Sequence, residues 1–317
     1  MEIHMRGLHI VATGHYAPKR VITNDDLSKI VETSDEWITE RTGMKRRHYC
    51  TEEEGNVSMA SAAARIALDR AGIDLSEIGS LVVATFSGDY FVPSTACLVQ
   101  RELGLPDEMI CYDLNAACSG FLFGLETVRG LLLQSEKRYA LLIGSEVISR
   151  KLNMSDRGTC ILFGDGAGAV VLELDENRGY TSVMGCRGDD RLIYCNASED
   201  SDKKVHMEGQ ETYKFAVMKV PKLIKEVVAK AGLNMDQIDR FVCHQANARI
   251  IESVAKVLKQ PMDKFYMNIQ EYGNTSAASV AIALSELWES GMCKEGDKIV
   301  LAGFGAGKTW GAVVLDY

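Results

Sequence analysis

The chain repeats itself once. Ala71-Gly72-Ile73-Asp74-Leu75-Ser76-Glu77-Ile78, followed by Leu81-Val82-Val83-Ala84, returns 160 positions later as Ala231-Gly232-Leu233-Asn234-Met235-Asp236-Gln237-Ile238, followed by Phe241-Val242-Cys243-His244. Arg138-Tyr139-Ala140-Leu141-Leu142-Ile143-Gly144 has a weaker counterpart in Asp297-Lys298-Ile299-Val300-Leu301-Ala302-Gly303, at an offset of 159. Each half then closes on glycines and a strand, Phe163-Gly164-Asp165-Gly166-Ala167-Gly168 with Ala169-Val170-Val171-Leu172, and Phe304-Gly305-Ala306-Gly307 with Gly311-Ala312-Val313-Val314-Leu315. One ordered repeat across 317 residues predicts two similar α/β halves, 1–175 and 176–317, related by a pseudo-twofold axis and not stacked as a solenoid. Small-residue helices such as 58–68 alternate with apolar strands, which predicts buried, mainly parallel sheets with alanine-rich helices packed between them. The stretch from Gly188 to Gly209 carries mixed charge and little apolar periodicity, so it reads as a loop region near the boundary, placed to cover a site.

Composition limits the functional classes. An apolar fraction of 46% with 25% charged residues is that of a soluble globular protein. No segment approaches the roughly 18 apolar residues of a membrane span. Residues 1–6 lead directly into a strand pattern at Leu8–Ala12 that is too short for the apolar region of a secretion signal, so a cytoplasmic location is expected. The nine cysteines form no CxxC pair and mostly sit in apolar runs, which signals neither a disulfide framework nor a metal site. A net charge of -9 argues against a general nucleic-acid binder, while leaving room for a local basic patch.

The chemistry centres on Cys118. The strand-like run Cys111-Tyr112-Asp113-Leu114 breaks into Asn115-Ala116-Ala117-Cys118-Ser119-Gly120, small residues suited to a tight turn into a helix whose N-terminus favours a thiolate. A buried structural thiol is the alternative. Carrying Cys118 through the repeat lands on Tyr272-Gly273-Asn274-Thr275-Ser276-Ala277-Ala278-Ser279, so Asn274 occupies the twin turn. His244 ends a predicted strand, and ligands in α/β folds gather beyond the carboxyl ends of strands. Cys118, His244 and Asn274 are therefore expected at one crevice, against the plainer readings of a hydrogen-bonded histidine and a helix-capping asparagine. Two phosphate-binding patterns fail on context. Ala302 to Thr309 approximates a P-loop and Gly164 to Gly168 a dinucleotide fingerprint, yet each runs into a strand and not a helix.

Seven segments in order resemble β-ketoacyl-[acyl-carrier-protein] synthase III, the initiating condensing enzyme of type II fatty acid synthesis. They are Thr33 to Ile38, Arg41-Thr42-Gly43, Ala116 to Phe121, Asp156-Arg157-Gly158-Thr159, Phe163 to Ala169, His244 to Ile250 and Gly273 to Ser279. The resemblance spans essentially the whole chain. It implies the thiolase fold, duplicated halves in a five-layer αβαβα arrangement, and a homodimer. It also implies that Cys118 takes the acyl group of an acyl-CoA primer, and that malonyl-acyl carrier protein then loses carbon dioxide and attacks the acyl-enzyme. His244 and Asn274 would donate to the malonyl thioester oxygen, and the backbone amides of Cys118 and Gly305 would form the other oxyanion hole. Trp37 and Arg157 would sandwich the CoA adenine, with Arg41 on its phosphates. Gln245, Ala246, Asn247, Ala248 and Arg249, with Lys214 and Lys256, would meet the carrier protein. No metal or separate cofactor is implied, the CoA thioester being a substrate.

Three positions, in two regions, depart from the family pattern. Ala306 and Lys308 stand where a third glycine and an aromatic residue are usual, and Val92 stands where acetyl-selective members often carry phenylalanine. The smaller Val92 predicts an acyl pocket open to longer or branched primers. Related acyltransferases of secondary metabolism, forming polyketides, quinolones or esters, share these motifs. A non-enzymatic acyl-binding partner subunit would be expected to lack Cys118.

Overall fold

Strands with apolar side chains on both faces need cover on both sides, and this chain supplies it with helices. The structure, a computed structural model, describes residues 7–198 and 202–317; residues 1–6, and residues 199–201 of the stretch expected to cover a site, lie outside the described residues. The first half runs β1 (Gly7–Tyr16), β2 (Arg20–Thr23), α1 (Asn24–Ser28), α2 (Asp35–Thr42), β3 (Arg46–Tyr49), α3 (Asn56–Ala71), β4 (Ile78–Ala84) and α4 (Thr95–Leu103). It continues through β5 (Ile110–Leu114), α5 (Gly120–Leu132), β6 (Tyr139–Glu146), α6 (Arg157–Cys160) and β7 (Gly166–Asp175). The second half runs β8 (Tyr180–Cys186), β9 (Ile193–Cys195), β10 (Val205–Met207), α7 (Gly209–Lys230), β11 (Arg240–Cys243) and α8 (Ala248–Leu258). It ends with α9 (Ile269–Tyr272), α10 (Ala278–Glu289), β12 (Lys298–Gly305) and β13 (Thr309–Asp316).

The sheets repeat as the sequence does. One has the order β1-β7-β6-β4-β5, the other β8-β13-β12-β11. In the second, the place of β5 is taken by a single parallel bridge from Phe241 to Phe265. The pairings correct the expectation of mainly parallel sheets. β4 runs parallel to β5 and β6, and β11 to β12, but β7 and β13 run antiparallel to both of their neighbours. The Gly-rich closing strands return alongside the strand that precedes them. Nothing in their composition distinguishes that from a parallel strand, because both kinds are buried on both faces here.

Period-two alternation sorts the side chains into layers. Leu142, Val170 and Leu172 face one core, while Leu141, Ile143 and Val171 face another. In the second sheet Val242, Leu301 and Val313 point to the first of these cores, and Phe241, Val300 and Val314 away from it. That shared central core holds α5 and α10, through Phe121, Leu125, Val280 and Leu284. The outer layers are α3 with α4 against the first sheet and α7 with α8 against the second. The result is the five-layer αβαβα arrangement. Gly168 shows why glycine is needed at the centre: a Cβ there would meet the Ala281 carbonyl carbon at 2.6 Å, so α10 could not approach β7. Among the described residues no helix is long and apolar enough to cross a membrane.

Candidate active site

The two helices of the central layer begin in matched turns. Ala117, just before Cys118, has φ 46°, and Ser276, two residues after Asn274, has φ 50°. Left-handed backbone is costly for residues with a Cβ and tends to persist where the surroundings over-determine it, often at functional sites. Both turns open on one cavity of about 900 Å³, lined by Cys118, His244 and Asn274 together. The crevice expected from the repeat is therefore present.

Each of the three is held by its own element. Cys118 lies in a single 3-10 turn, Ala117–Ser119, that hands over to α5. His244 follows β11, and its N–H donates to Ala302 of β12 at 2.7 Å. A Cβ added to Gly303 would meet His244 Cβ at 3.3 Å and Cys118 O at 4.0 Å, so histidine and cysteine flank one glycine. Asn274 Oδ1 accepts the Ser276 N–H at 2.9 Å, which leaves its NH2 as the donor available to the cavity. At the end of β12, a Cβ on Gly305 would meet Cys118 N at 2.8 Å. Only glycine lets that strand end lie against the Cys118 amide.

The electrostatics correct one expectation. A resting thiolate was expected at a helix start, but burial pushes the Cys118 thiol up to about 11, with the Ser276 hydroxyl lowering it and the Glu146 charge raising it. The resting group is the thiol. Burial holds His244 down at about 3, so its imidazole is neutral. Its Nδ1 stands 2.6 Å from Ser279 Oγ, which also accepts the Gln245 N–H at 3.4 Å. A Ser279 hydroxyl that donates to Nδ1 places the imidazole proton on Nε2, the tautomer that offers a donor to the cavity.

Around the exposed side of the cavity, Trp37 lies between two guanidinium groups, Arg41 at 4.5 Å and Arg157 at 4.8 Å from its ring centre. Arg157 is anchored by a 2.8 Å hydrogen bond to the Glu32 carbonyl. Arg249 and Lys214 are exposed cavity residues, and Lys214 pairs with Glu211 at 2.7 Å. Lys256 is exposed two turns along α8 from Arg249. Ala246 and Asn247 line the cavity; Asn247 also caps α8 and donates to the Arg41 carbonyl at 3.0 Å.

Three expectations are not met by the placement. Gln245 is 1% exposed, its amide donating to the carbonyls of Cys243 and Tyr266 and accepting from the Asn268 N–H, so it braces the strand end and presents nothing to a partner. Ala248 is likewise buried in the first turn of α8. Val92 is 82% exposed, on a loop with Tyr90 and Phe91, and lines no part of the cavity of its own chain. Conversely, sequence reasoning passed over Glu146, Ser279 and Phe304. Glu146 had a signal, a carboxylate directly following the apolar run Leu141-Leu142-Ile143-Gly144-Ser145. The stretch between Gly188 and Gly209 does reach the site, contributing Asp189, Ile193, Tyr194, Val205 and Met207 to the cavity wall.

Duplicated halves of this topology, opening through paired turns onto one chamber, are those of thiolase-fold acyltransferases of the condensing type. The family model of 3-oxoacyl-[acyl-carrier-protein (ACP)] synthase III matches residues 112–188, and that of its C-terminal region residues 228–317. The chain belongs to the β-ketoacyl-[acyl-carrier-protein] synthase III family. A β-ketoacyl-[acyl-carrier-protein] synthase III of Clostridium acetobutylicum is 43% identical over 99% of both chains. Its counterpart from Acholeplasma laidlawii is 45% identical over 98% of both. The crystal structure of 3-oxoacyl-[acyl-carrier-protein] synthase III from Aquifex aeolicus superposes with a TM-score of 0.93 at 42% identity, covering 98% of this chain and 100% of that one. The priming β-ketosynthase of the R1128 polyketide pathway also reaches 0.93, at 32% identity, covering 98% and 96%.

Proposed function

We propose that this chain joins an acyl-CoA primer to malonyl-acyl carrier protein by decarboxylating Claisen condensation, through an acyl group carried on Cys118. Membership of the family makes it an acyltransferase that initiates fatty acid synthesis. The observation that carries the residue roles is the convergence of Cys118, His244 and Asn274 on one cavity from matched turns. In the first half-reaction Cys118 sulfur attacks the thioester carbonyl and CoA leaves, with the developing oxyanion held by the backbone amides of Cys118 and Gly305. In the second, His244 Nε2–H and Asn274 NH2 donate to the malonyl thioester oxygen as carbon dioxide departs, and the resulting carbanion attacks the acyl carbonyl carbon, breaking its bond to Cys118 sulfur, which regains a proton as 3-oxoacyl-acyl carrier protein leaves. A neutral imidazole suits that task, because it donates without first binding a proton.

Trp37, Arg41 and Arg157 are assigned to CoA, supported by a flat ring already flanked by two cations. The adenine replaces one guanidinium contact on the ring, and Arg41 turns to the phosphates. Arg249, with Lys214 and Lys256, is assigned to the acidic carrier protein, with Ala246 and Asn247 at the entrance. The division into halves 1–175 and 176–317 belongs to the same reading, supported by the break between β7 and β8. So do a cytoplasmic location and the absence of any resident metal or cofactor. A homodimer is supported by the exposed apolar run Tyr90-Phe91-Val92. Val92 then bears on primer size only if a second copy brings it to a cavity. Sedimentation at micromolar concentration tests the dimer, and rates across acetyl-, butyryl- and isobutyryl-CoA test the primer; strong preference for acetyl contradicts an enlarged pocket.

The likeness to the R1128 priming synthase favours a second reading, a primer unit made for secondary metabolism by the same chemistry. Assay with purified carrier proteins of both kinds separates the two.

A further inference from the structure

Behind the cavity wall, close enough for its charge to act on Cys118, lies a carboxylate that the condensation just described does not use. Glu146, the last residue of β6, is fully buried. Its Oε2 accepts from Thr85 Oγ1 at 3.1 Å, from the Phe86 N–H at 3.2 Å and from Ser87 Oγ, while Oε1 is buried with no hydrogen-bond partner. Ser276 Oγ is a second buried polar atom that makes no well-aligned hydrogen bond, although it lies near both Cys118 and Glu146. A buried polar atom left short of hydrogen bonds is costly, so two in one place call for a reason. Ser276 stands between the two reactive groups, close enough to lower the titration of both Cys118 and Glu146. Its left-handed backbone, φ 50°, puts it there from the turn that mirrors the cysteine's own.

We propose that Ser276 and Glu146 form a proton relay for Cys118. As sulfur attacks the primer carbonyl, the S–H proton passes to Ser276 Oγ, and the serine's own hydroxyl proton passes to Glu146 Oε1. When the carbonyl–sulfur bond to CoA breaks, the proton returns through Ser276 to the departing CoA sulfur. Cys118 thiol and acyl-CoA thus become acyl-Cys118 and CoA thiol, with the carboxylate restored. Glu146 acts through Ser276 and is a positioning residue in this sense, not one that touches substrate.

Protonation states agree with that assignment. The cysteine rests as a thiol and needs an acceptor. Buried His244, held at about 3, is a poor one, whereas burial raises Glu146 to about 7. An acceptor near the working pH is the efficient choice.

The inference rests on the proposed role of Cys118 as nucleophile, and a substrate-free probe keeps the two separable. Alkylation of Cys118 by iodoacetamide, followed by peptide mass spectrometry, is expected to slow about 100-fold in Glu146→Gln and in Ser276→Ala. The double variant should be no slower than either single one, and Glu146→Asp should recover part of the rate. Acylation by acyl-CoA should slow in parallel. Unchanged alkylation in both single variants overturns the relay whatever becomes of the condensation assay. Additive losses in the double variant overturn it as well. Ser276→Ala, which removes one atom, keeps the test available if the glutamine variant does not fold.

Discussion

Ser279 Oγ and His244 Nδ1 lie 2.6 Å apart, joining the first turn of α10 to the end of β11. The contact does more than pack α10 against the end of β11, because it bears on which imidazole nitrogen carries the proton. With Ser279 donating to Nδ1, Nε2–H is left as the group that meets a developing oxyanion.

Ser279→Ala removes that instruction while leaving the histidine in place. Condensation is expected to fall about 10-fold or more, equivalent to about 1.4 kcal/mol of barrier, with acylation of Cys118 little changed. Single-turnover measurement of the two half-reactions checks this, and equal losses in both would count against a tautomer-setting role.

Gly305→Ala acts on the other half-reaction. The added Cβ would meet Cys118 N at 2.8 Å and Cys118 Cβ at 3.1 Å, so either β12 or the nucleophile turn must shift. Overpacking of this kind costs about 1–3 kcal/mol, and here it falls on the amide that would hold the oxyanion. The rate of acyl-Cys118 formation should drop at least about 10-fold. A variant that acylates like the wild type would remove the Cys118 amide from the account.

Lys308, the departure from the usual aromatic residue, holds Asp189 of the covering stretch at 2.7 Å. The hydrogen bond from Lys308 leads the causes that lower the Asp189 carboxyl to about 2, so that carboxylate stays ionised across the working pH range. Lys308→Met should free this segment of the cavity wall and raise KM for acyl-CoA several-fold, leaving kcat nearly unchanged. The shift should be equal between about pH 6 and pH 8, since the Asp189 carboxyl does not titrate there. An unaltered KM, or a change confined to kcat, contradicts the clamp.

Stability should also report on His244. Its folded value of about 3 lies below that of the unfolded chain, near 6.5. The unfolded state therefore binds the proton first. This group's contribution to stability is complete above about pH 6.5 and is lost as pH falls toward 3. The melting temperature of His244→Asn should accordingly gain on the wild type as pH is lowered from about 7 to 5. A constant difference over that window would mean that the imidazole takes up its proton in the fold at the same pH as in the unfolded chain.

Much of this was legible before any coordinates. The repeat located the halves and the twin turns, because duplicated strands and helices preserve the same buried positions. The direction of β7 and β13 was not legible, since strands covered on both faces look alike whichever way they run. Gln245 was misread for a related reason. A polar residue beside Arg249 looks exposed, and only the fold reveals the carbonyls of Cys243 and Tyr266 waiting for its amide. Val92 was placed by analogy in a pocket that its own chain does not offer it. Glu146 escaped notice because a lone acid at a strand end resembles an ordinary exit to solvent, whereas Thr85, Phe86 and Ser87 fold back over it.

The division of labour between Cys118 and His244 is tested most directly by intact-protein mass spectrometry of His244→Ala with acyl-CoA, before and after addition of malonyl-acyl carrier protein. The variant should gain one acyl group on Cys118, absent from Cys118→Ser, and retain it when the carrier protein is added, while the wild type discharges it as 3-oxoacyl-carrier protein. A histidine variant that is never acylated, or one that discharges its acyl group as the wild type does, would contradict the account.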